Sequence, residues 1–470
     1  MPTLYGGITT ALTAILANTH AIQVVNQNVS NVNTPGYRKQ MVLMSTSAPI
    51  ETNPGYPSRM PGQLGTGVQV DLILHNSNAL LDARYRAASG ESNDWQSRQS
   101  LMSQVETNLQ STSTAGLPSM LDQFWANWSQ LASDPSNIAI RQELLGQADS
   151  LANNFNTQAN QLLQLRGDQN AAVSDQVDQI NSAAQQIADL NGQIAANLSI
   201  GEQPNDLIDR RDLLTDQLAQ SAGAVSYLQK DGTTLVSIGG TNLVTNRKAY
   251  ALTTVPDTTN PANNGMLQVQ WADGPAFPPP SGSLNGLLSA RDPMIPAQLN
   301  WLDTLATQLA TSVNGLHSTG LAMDGLTPGG NFFDLPATGS AAGGIKVRVG
   351  LTATGIAVNK SGLPGDNTLA NQIAALKLDK SVFGSNVTFN EYLNNAISTL
   401  GTDLKRTNSN LTHNQLIVDA LTTQRSSESG VSLDEEAANL AKYERSYQAA
   451  GRLMSAFDQM LDMIINNMGR

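Results

Sequence analysis

The two ends of this chain carry the same hydrophobic repeat. Toward the C-terminus Leu433, Leu440, Tyr447, Met454, Leu461 and Met468 recur at every seventh position, with Tyr443, Ala450, Phe457 and Ile464 as a second row. At the N-terminus Ile8, Ile15, Ile22 and Val29 keep the same spacing, flanked by Leu4, Ala11, Leu12, Val25 and Val32. Such a repeat holds one apolar stripe along one side of a helix, which needs a partner helix to cover it. Chain ends are ordinarily polar and frayed. Two patterned ends in one chain predict helices that pair with each other, with neighbouring copies, or with both.

The N-terminal segment contains no Asp, Glu, Lys or Arg before Arg38, and its polar face is built from Thr, Asn and Gln. A surface helix normally solvates its outer face with charge. An uncharged polar face therefore predicts contact with other protein. A signal peptide or membrane anchor fits poorly. No basic segment leads the chain, and Asn18, Thr19, Gln23, Asn26, Gln27 and Asn28 interrupt every apolar run, so no membrane insertion is expected.

With 470 residues the chain is long enough to bury a sizeable core and to form more than one domain. Hydrophobic residues make up 40% but aromatics only 5%, a balance that suits extended helical packing. The net charge of −12 argues against non-specific binding to nucleic acid or anionic lipid. The absence of cysteine removes disulfides, thiolate metal ligands and thiol nucleophiles together.

Pro35 and Gly36 end the first helical pattern, and the Pro- and Gly-rich stretch holding Pro49, Pro54, Pro57 and Pro61 reads as a linker. Helical periodicity resumes near Leu80. It marks one helix by Trp95, Met102 and Leu109, another by Leu144, Leu151, Phe155 and Leu162, and a third from Val173 to Leu198, with a fourth run through Leu207, Leu214 and Leu218. From about Gly223 the pattern alternates. Val225 to Gln229 and Thr233 to Ile238 flank a turn at Lys230, Asp231 and Gly232, and Ala249 to Val255 and Met266 to Trp271 read as further strands. Helix returns at Pro296, and the register through Leu393, Ile397, Leu400, Leu404 and Leu411 runs into the terminal repeat. The expected fold is mainly α with a β insert: paired terminal helices, a nested helical bundle, and a β-rich outer domain in the chain middle. The expected units are a terminal assembly domain with its linker (1–75 and 430–470), a helical bundle (76–222 and 284–429) with a Gly-rich, partly β insert near 320–390, and a β-rich outer domain (223–283).

No constellation for catalysis emerges. His20, His75, His317 and His413 lie far apart without metal-type spacing, so packing or surface roles are expected. Gly65, Thr66 and Gly67 lack the strand and the Lys of a phosphate loop and read as a turn. Asp434, Glu435 and Glu436 sit at a helix start, where Ser432 and Glu435 fit a capping box and the carboxylates complement the helix dipole. Asp209, Arg210, Arg211 and Asp212 read as a solvated helix face. No metal, cofactor or enzymatic activity is expected.

The segment from Asn26 to Tyr37, with Asn28, Asn31, Thr34, Pro35, Gly36 and Tyr37, resembles the N-terminal signature of the bacterial flagellar axial proteins, the rod, hook and hook-associated family. The segment from Ser429 to Leu440, with Ser432, Asp434, Glu435 and Glu436, resembles the C-terminal signature of the same family. Gly65 to Asp71, Gly286 to Pro296 and the pair of stretches Asn331 to Asp334 and Gly365 to Asn367 bring the resemblance toward its hook-associated members. Gln27 departs from the Asn usual in the first signature, and the chain is short for the family, which implies a reduced outer β insert.

The resemblance implies a structural protein exported through the flagellar type III channel without a cleaved signal, polymerising as a ring at the hook tip between hook and filament. Its implied partners are itself, the hook protein, a second junction protein or the flagellin side of the filament, and an export chaperone. The implied location is extracellular, in the flagellum. The assembly seam expected from the repeats comprises Ile8, Leu12, Ile15, Ile22 and Val29 with Leu433, Leu440, Tyr447, Met454, Phe457, Leu461 and Ile464. A hook or rod component is the nearest alternative, and a secreted enzyme on a helical scaffold a more distant one.

Overall fold

The computed structural model describes residues 2–49, 65–109, 116–258, 265–363 and 365–467. Expectations resting on Pro54, Pro57, Pro61 and Met468 lie outside them. The fold is mainly α with a β insert. The chain leaves along α1 (Pro2–Ser30) and comes back along α11 (Leu433–Asn467). The ring of Phe457 packs on Gly7, and Asn28 meets Glu436, so an early residue of each helix faces a late one of the other and the pair is antiparallel. One layer inward, α2 (Ala79–Leu109) and α10 (Phe389–Ser429) repeat this arrangement. Asn78 pairs with Glu428, Ser92 with Gln415 and Met102 with Thr407. Sequence order is thereby converted into nested antiparallel pairs.

The stretch read as linker begins and ends in structure. Strand β1 (Gln40–Thr46) pairs antiparallel with β2 (Val68–His75), with an irregularity between Leu43 and Met44 that leaves Asp71 unpaired as a bulge. The bulge restores the side-chain alternation of β2 so that each face of the ribbon stays consistent along its length.

Most of the chain's phenylalanine and tryptophan side chains gather in one core. Helix α3 (Leu117–Ser133), which lies between the helices expected from the periodicity, opens with Pro118 in its first turn and buries Phe124, Trp125 and Trp128. Phe124 stands edge-on to Trp125 at 5.0 Å and to Phe332 at 6.1 Å, and Trp125 lies 5.4 Å from Phe389. Around them the first half of α4 (Ile138–Ser199), α7 (Ile295–His317), α9 (Thr368–Ala375) and the start of α10 complete one core. Each fully buried side chain of this size contributes about 2 to 3 kcal/mol. The Gly-rich region, with the short β9 (Phe333–Asp334), α8 (Ala341–Gly344) and β10 (Lys346–Val347), feeds Phe332, Phe333, Ile356 and Val358 into the same core.

The two helices read at 144–162 and 173–198 are one helix of 62 residues, α4. Nothing between them breaks it: no proline intervenes, and Gly167 faces open space, where glycine costs only about 1 kcal/mol. Asn137 caps its start by accepting from the amides of Ala139 and Ile140. The second half of α4 supplies Val173, Val177, Ile180 and Ile187 to a second core, shared with α5 (Asn205–Ala222) and the β module. That module is a four-stranded antiparallel sheet of β3 (Val225–Leu228), β4 (Thr234–Ile238), β5 (Thr241–Thr245) and β6 (Lys248–Ala249), beside a pair made of β7 (Leu252–Pro256) and β8 (Leu267–Trp271). Its inward residues pack on α4, α5 and α6 (Gly282–Ser289). Helix α6 runs through a π-helical turn at Ala290–Met294 into α7, so helix begins well before the expected Pro296.

Candidate assembly site

Helices α1 and α11 bury a narrow stripe between them. On α1 this is Ala11, Ala17, Ala21, Val24, Val25 and Asn28. On α11 Glu436 and Ala450 are buried, with Tyr443 and Phe457 half-buried. Small side chains let the two backbones approach. The residues expected at the assembly seam divide by burial in the single chain. Ile8, Ile15, Ile22, Leu440, Met454 and Leu461 are half-buried, while Leu12, Val29, Leu433, Tyr447 and Ile464 are exposed. Leu16 and Leu453, each 53% exposed, and Met463, at 56%, add to the apolar surface left facing outward.

The segment Gly6–Ser30 of α1 is long and apolar enough on average to cross a membrane. The average is high because the residues that interrupt its apolar runs, Asn18, Thr19, Gln23, Asn26, Gln27 and Asn28, are uncharged. Its buried residues are packed against protein.

At the base of the pair, Asn28 uses its full hydrogen-bonding capacity. Its Oδ1 accepts from the Tyr37 hydroxyl at 2.8 Å and from the Gln40 amide at 3.0 Å, and its Nδ2 donates to the Gln40 carbonyl at 2.9 Å and to Glu436 Oε2 at 3.0 Å. Burial, reinforced by Asp206, Asp209 and Glu436, pushes the Tyr37 phenol above its ordinary range. Lys39 Nζ lies 2.6 Å from Glu435 and 3.4 Å from Glu436, and its backbone amide donates to the Ser429 carbonyl at 2.8 Å. Asn31 accepts from the Thr34 hydroxyl and Thr34 from the Tyr37 amide, closing the turn after α1. In that turn Gly36 has φ +82°, and an added Cβ would sit 3.1 Å from Leu213 Cβ. The N-terminal motif is thus a device that stops α1 and sends the chain back beneath it.

The C-terminal motif completes the joint. The Glu435 amide reaches the Ser432 hydroxyl at 3.5 Å, but the Glu435 carboxylate goes to Lys39 instead of returning to its cap. The expected capping box is therefore half-formed. The Lys39 ammonium holds the Glu435 carboxyl below its usual range.

Beside this node lies a charge cluster. Arg38, the first charged residue of the chain, is buried between Asp82 at 2.9 Å and Asp212 at 3.2 Å, and its amide donates to Asp209 at 3.1 Å. Arg425 binds Asp82 at 2.9 Å and Asp216 at 3.0 Å and lies 4.2 Å over the Tyr85 ring. Arg86 reaches Asp216 at 2.6 Å. These pairs tie the turn after α1 to α2, α5 and α10. The expectation of a solvated face at Asp209 to Asp212 is corrected: Arg210 is exposed, but Asp209 and Arg211 are buried, because α5 lies under the returning chain. Burial pushes the Asp209 carboxyl up to about 7, with Asp212 and Asp206 adding to the rise against the pull of Arg38. His75 Nδ1 lies 3.8 Å from Asp209, and burial, with Arg38, lowers its pKa. Arg38 carries the one signal that sequence offered for this cluster, as a lone charge ending a charge-free segment.

His317 is a core residue. Its Nδ1 lies 2.7 Å from the Gly330 carbonyl, and its Nε2 accepts from the Ala357 amide at 2.9 Å, which assigns the proton to Nδ1. Burial lowers its pKa to about 4. Among the described residues no group of three or more His, Cys, Asp and Glu is placed to hold a metal ion.

The two ends of the chain thus meet in an antiparallel pair, with the body inserted between them. Residues 422–468 match the family described as flagellar basal body rod FlgEFG protein C-terminal, and residues 102–333 match the family described as flagellar hook-associated protein FlgK helical domain. The chain is 29% identical to flagellar hook-associated protein 1 of Bacillus subtilis (strain 168), covering 100% of this chain and 99% of that one. It is 27% identical to flagellar hook-associated protein 1 of Salmonella typhimurium, covering 97% and 98%. Its fold is that of the flagellar hook junction protein FlgK from Burkholderia pseudomallei, with a TM-score of 0.65 and 18% identity over 76% of this chain and 100% of that chain. The chain belongs to the flagellar hook-associated protein 1 family. The family is one of structural proteins of the bacterial flagellum that assemble with other flagellar axial proteins.

Proposed function

We propose that this protein is a structural subunit of the bacterial flagellum that polymerises at the hook tip and forms the junction between hook and filament. One observation carries the reading: the terminal helices are paired and anchored at their base, yet keep apolar rows, including Leu12, Leu16 and Leu453, turned outward. The protein lies outside the cell after export. It contacts further copies of itself, the hook protein on one side, and a second junction protein or the flagellin filament on the other, after handling by an export chaperone. It turns over no substrate. Supporting this, two deeply buried arginines serve the packing: Arg141 donates to the carbonyls of Pro135, Ala353 and Ile356, and Arg291 to Asp292, Asn170 and the Leu267 carbonyl.

In this reading 1–75 and 430–470 form the assembly domain, 76–222 and 284–429 the helical body, and 223–283 the outer β module. The exposed members of the seam predicted from the heptads, Leu12, Val29, Leu433, Tyr447 and Ile464, lie between copies.

The test uses Leu12→Asp and Leu453→Asp in flagellated cells. Both side chains are exposed in the single chain, so the protein should be exported and melt normally. A charge placed in a desolvated contact between copies costs several kcal/mol. The cells should shed flagellin subunits and fail to swim. Normal filaments from both variants would overturn the reading.

A further inference from the structure

The outer face of the β1–β2 ribbon has no role in the contacts described so far. Met41 stands opposite Leu74 and Leu43 opposite Leu72, so four aliphatic side chains share one face of the ribbon. All four are exposed, Leu43 at 48% and Leu74 at 41%. A two-stranded ribbon is marginal in water unless one face is covered. Three of the four, Met41, Leu43 and Leu74, also wall a hollow of about 220 Å³ whose floor is Ala21, Val24 and Val25 of α1 and whose far side is Asn439 and Tyr443 of α11. The hollow exceeds the roughly 150 Å³ that holds a benzene ring.

We propose that this hollow receives the Leu12–Leu16 ridge of α1 from a second copy of the protein. The proposal rests on the assembly reading above and adds where one copy grips the next. Three features select this occupant. The hollow is floored by the same helix whose outward row is offered for assembly, so the two surfaces are continuous. Leu12 and Leu16 are one turn apart and both exposed, and so form a ridge of aliphatic side chains. Charge decides between the terminal helices. The rim charges Lys39 and Glu436 already pair with each other and with Glu435, so a charged newcomer would be desolvated without a partner. The exposed row of α11 carries Arg452, Asp458 and Asp462 beside it, whereas α1 has no charged side chain before Arg38.

The experiment places a photo-crosslinking residue in the full-length protein within assembled flagella. The variants are Leu43→p-benzoylphenylalanine and Leu74→p-benzoylphenylalanine, with Leu12→p-benzoylphenylalanine as a companion. Both ribbon positions are exposed, so either variant is compatible with folding and each checks the other. After irradiation, two-copy adducts are digested with trypsin. The expected result is a ribbon peptide joined to the peptide of a second copy that ends at Arg38, since no Lys or Arg precedes that residue. Adducts from Leu12 should return the ribbon peptides. Adducts from Leu43 and Leu74 to a different protein, or to another part of the second copy, would overturn the proposal. So would their absence while Leu12 yields two-copy adducts at other sites, which would leave the assembly reading standing. Absence of two-copy adducts from all three positions would remove both.

Discussion

Asn28 and Glu436 are 408 residues apart along the chain, and their side chains meet at 3.0 Å. The contact lies where the axial pair enters the body, and the same Asn28 amide also fixes Tyr37 and Gln40. One residue therefore secures the end of α1, the start of the ribbon and the first turns of α11. It is a lock for the joint more than a contributor to either core.

Asn28→Ala should loosen that joint and leave the body intact. The substitution strands the Gln40 amide and carbonyl and one Glu436 oxygen, at about 1 to 3 kcal/mol for each buried group left unpaired. Amide exchange in α1 and β1 should accelerate at least tenfold, while protection in α3 and α7 stays as in the parent. Unchanged exchange in α1 would show that the apolar stripe alone holds the pair.

Arg38→Met should lower stability by about 3 to 5 kcal/mol, because Asp82 and Asp212 lose a buried counter-charge. Arg38→Lys should recover only part of this, since one ammonium does not reproduce a guanidinium reaching two carboxylates. Denaturant midpoints at constant slope give the comparison. A lysine variant as stable as the parent would argue against the geometric requirement.

Gly36→Ala should destabilise the turn by about 1 to 2 kcal/mol, from its positive φ and the approach of Leu213. Gly36→Asn should be milder, because Asn tolerates this conformation. Proteolytic cleavage rates between 31 and 40 should follow the order parent, Asn, Ala.

Two buried groups should impose opposite pH dependences between about 4 and 7. His317 has a folded pKa of about 4 against 6.5 when unfolded. Its contribution is complete above 6.5 and is lost as pH falls toward 4, roughly 3 kcal/mol in all. Asp209 has a folded pKa of about 7 against 3.8. Its contribution is complete below 3.8 and is lost as pH rises toward 7. The parent profile is therefore the difference of two slopes. Asp209→Asn should unmask a steeper loss on acidification, and His317→Gln a flatter or reversed one. Unfolding free energies at half-unit pH intervals measure this, and parallel profiles for the three proteins would refute the assignment.

The terminal helices and their pairing were legible because a heptad repeat encodes both the helix and its need for a partner. The β hairpin at 225–238 was legible from alternation around an Asp-Gly turn. The ribbon was not, although Gln40, Val42 and Met44 alternate in burial with Met41 and Leu43, because prolines and glycines in the intervening loop dominated the reading. The Arg38 cluster was hidden for a different reason. Charges at i and i+4 on α5 look the same whether water or another segment covers them, and only the fold brings Arg38, Asp82 and Arg425 beside them. The heptads pointed to a row of Ile8, Leu12, Ile15, Ile22 and Val29 on α1, whereas the row buried in the single chain runs through the small Ala11, Ala17 and Ala21, since adjacent heptad rows satisfy the same repeat.

Helix α4 has a mechanical consequence. At 1.5 Å per residue its 62 residues form a strut about 90 Å long, anchored in the aromatic core at one end and in the β module's core at the other. A bend or twist applied to one core reaches the other through a continuous hydrogen-bonded rod, with no hinge between to absorb it. The outer module is therefore braced against the body, and strain entering through the terminal pair is carried across the subunit as torque.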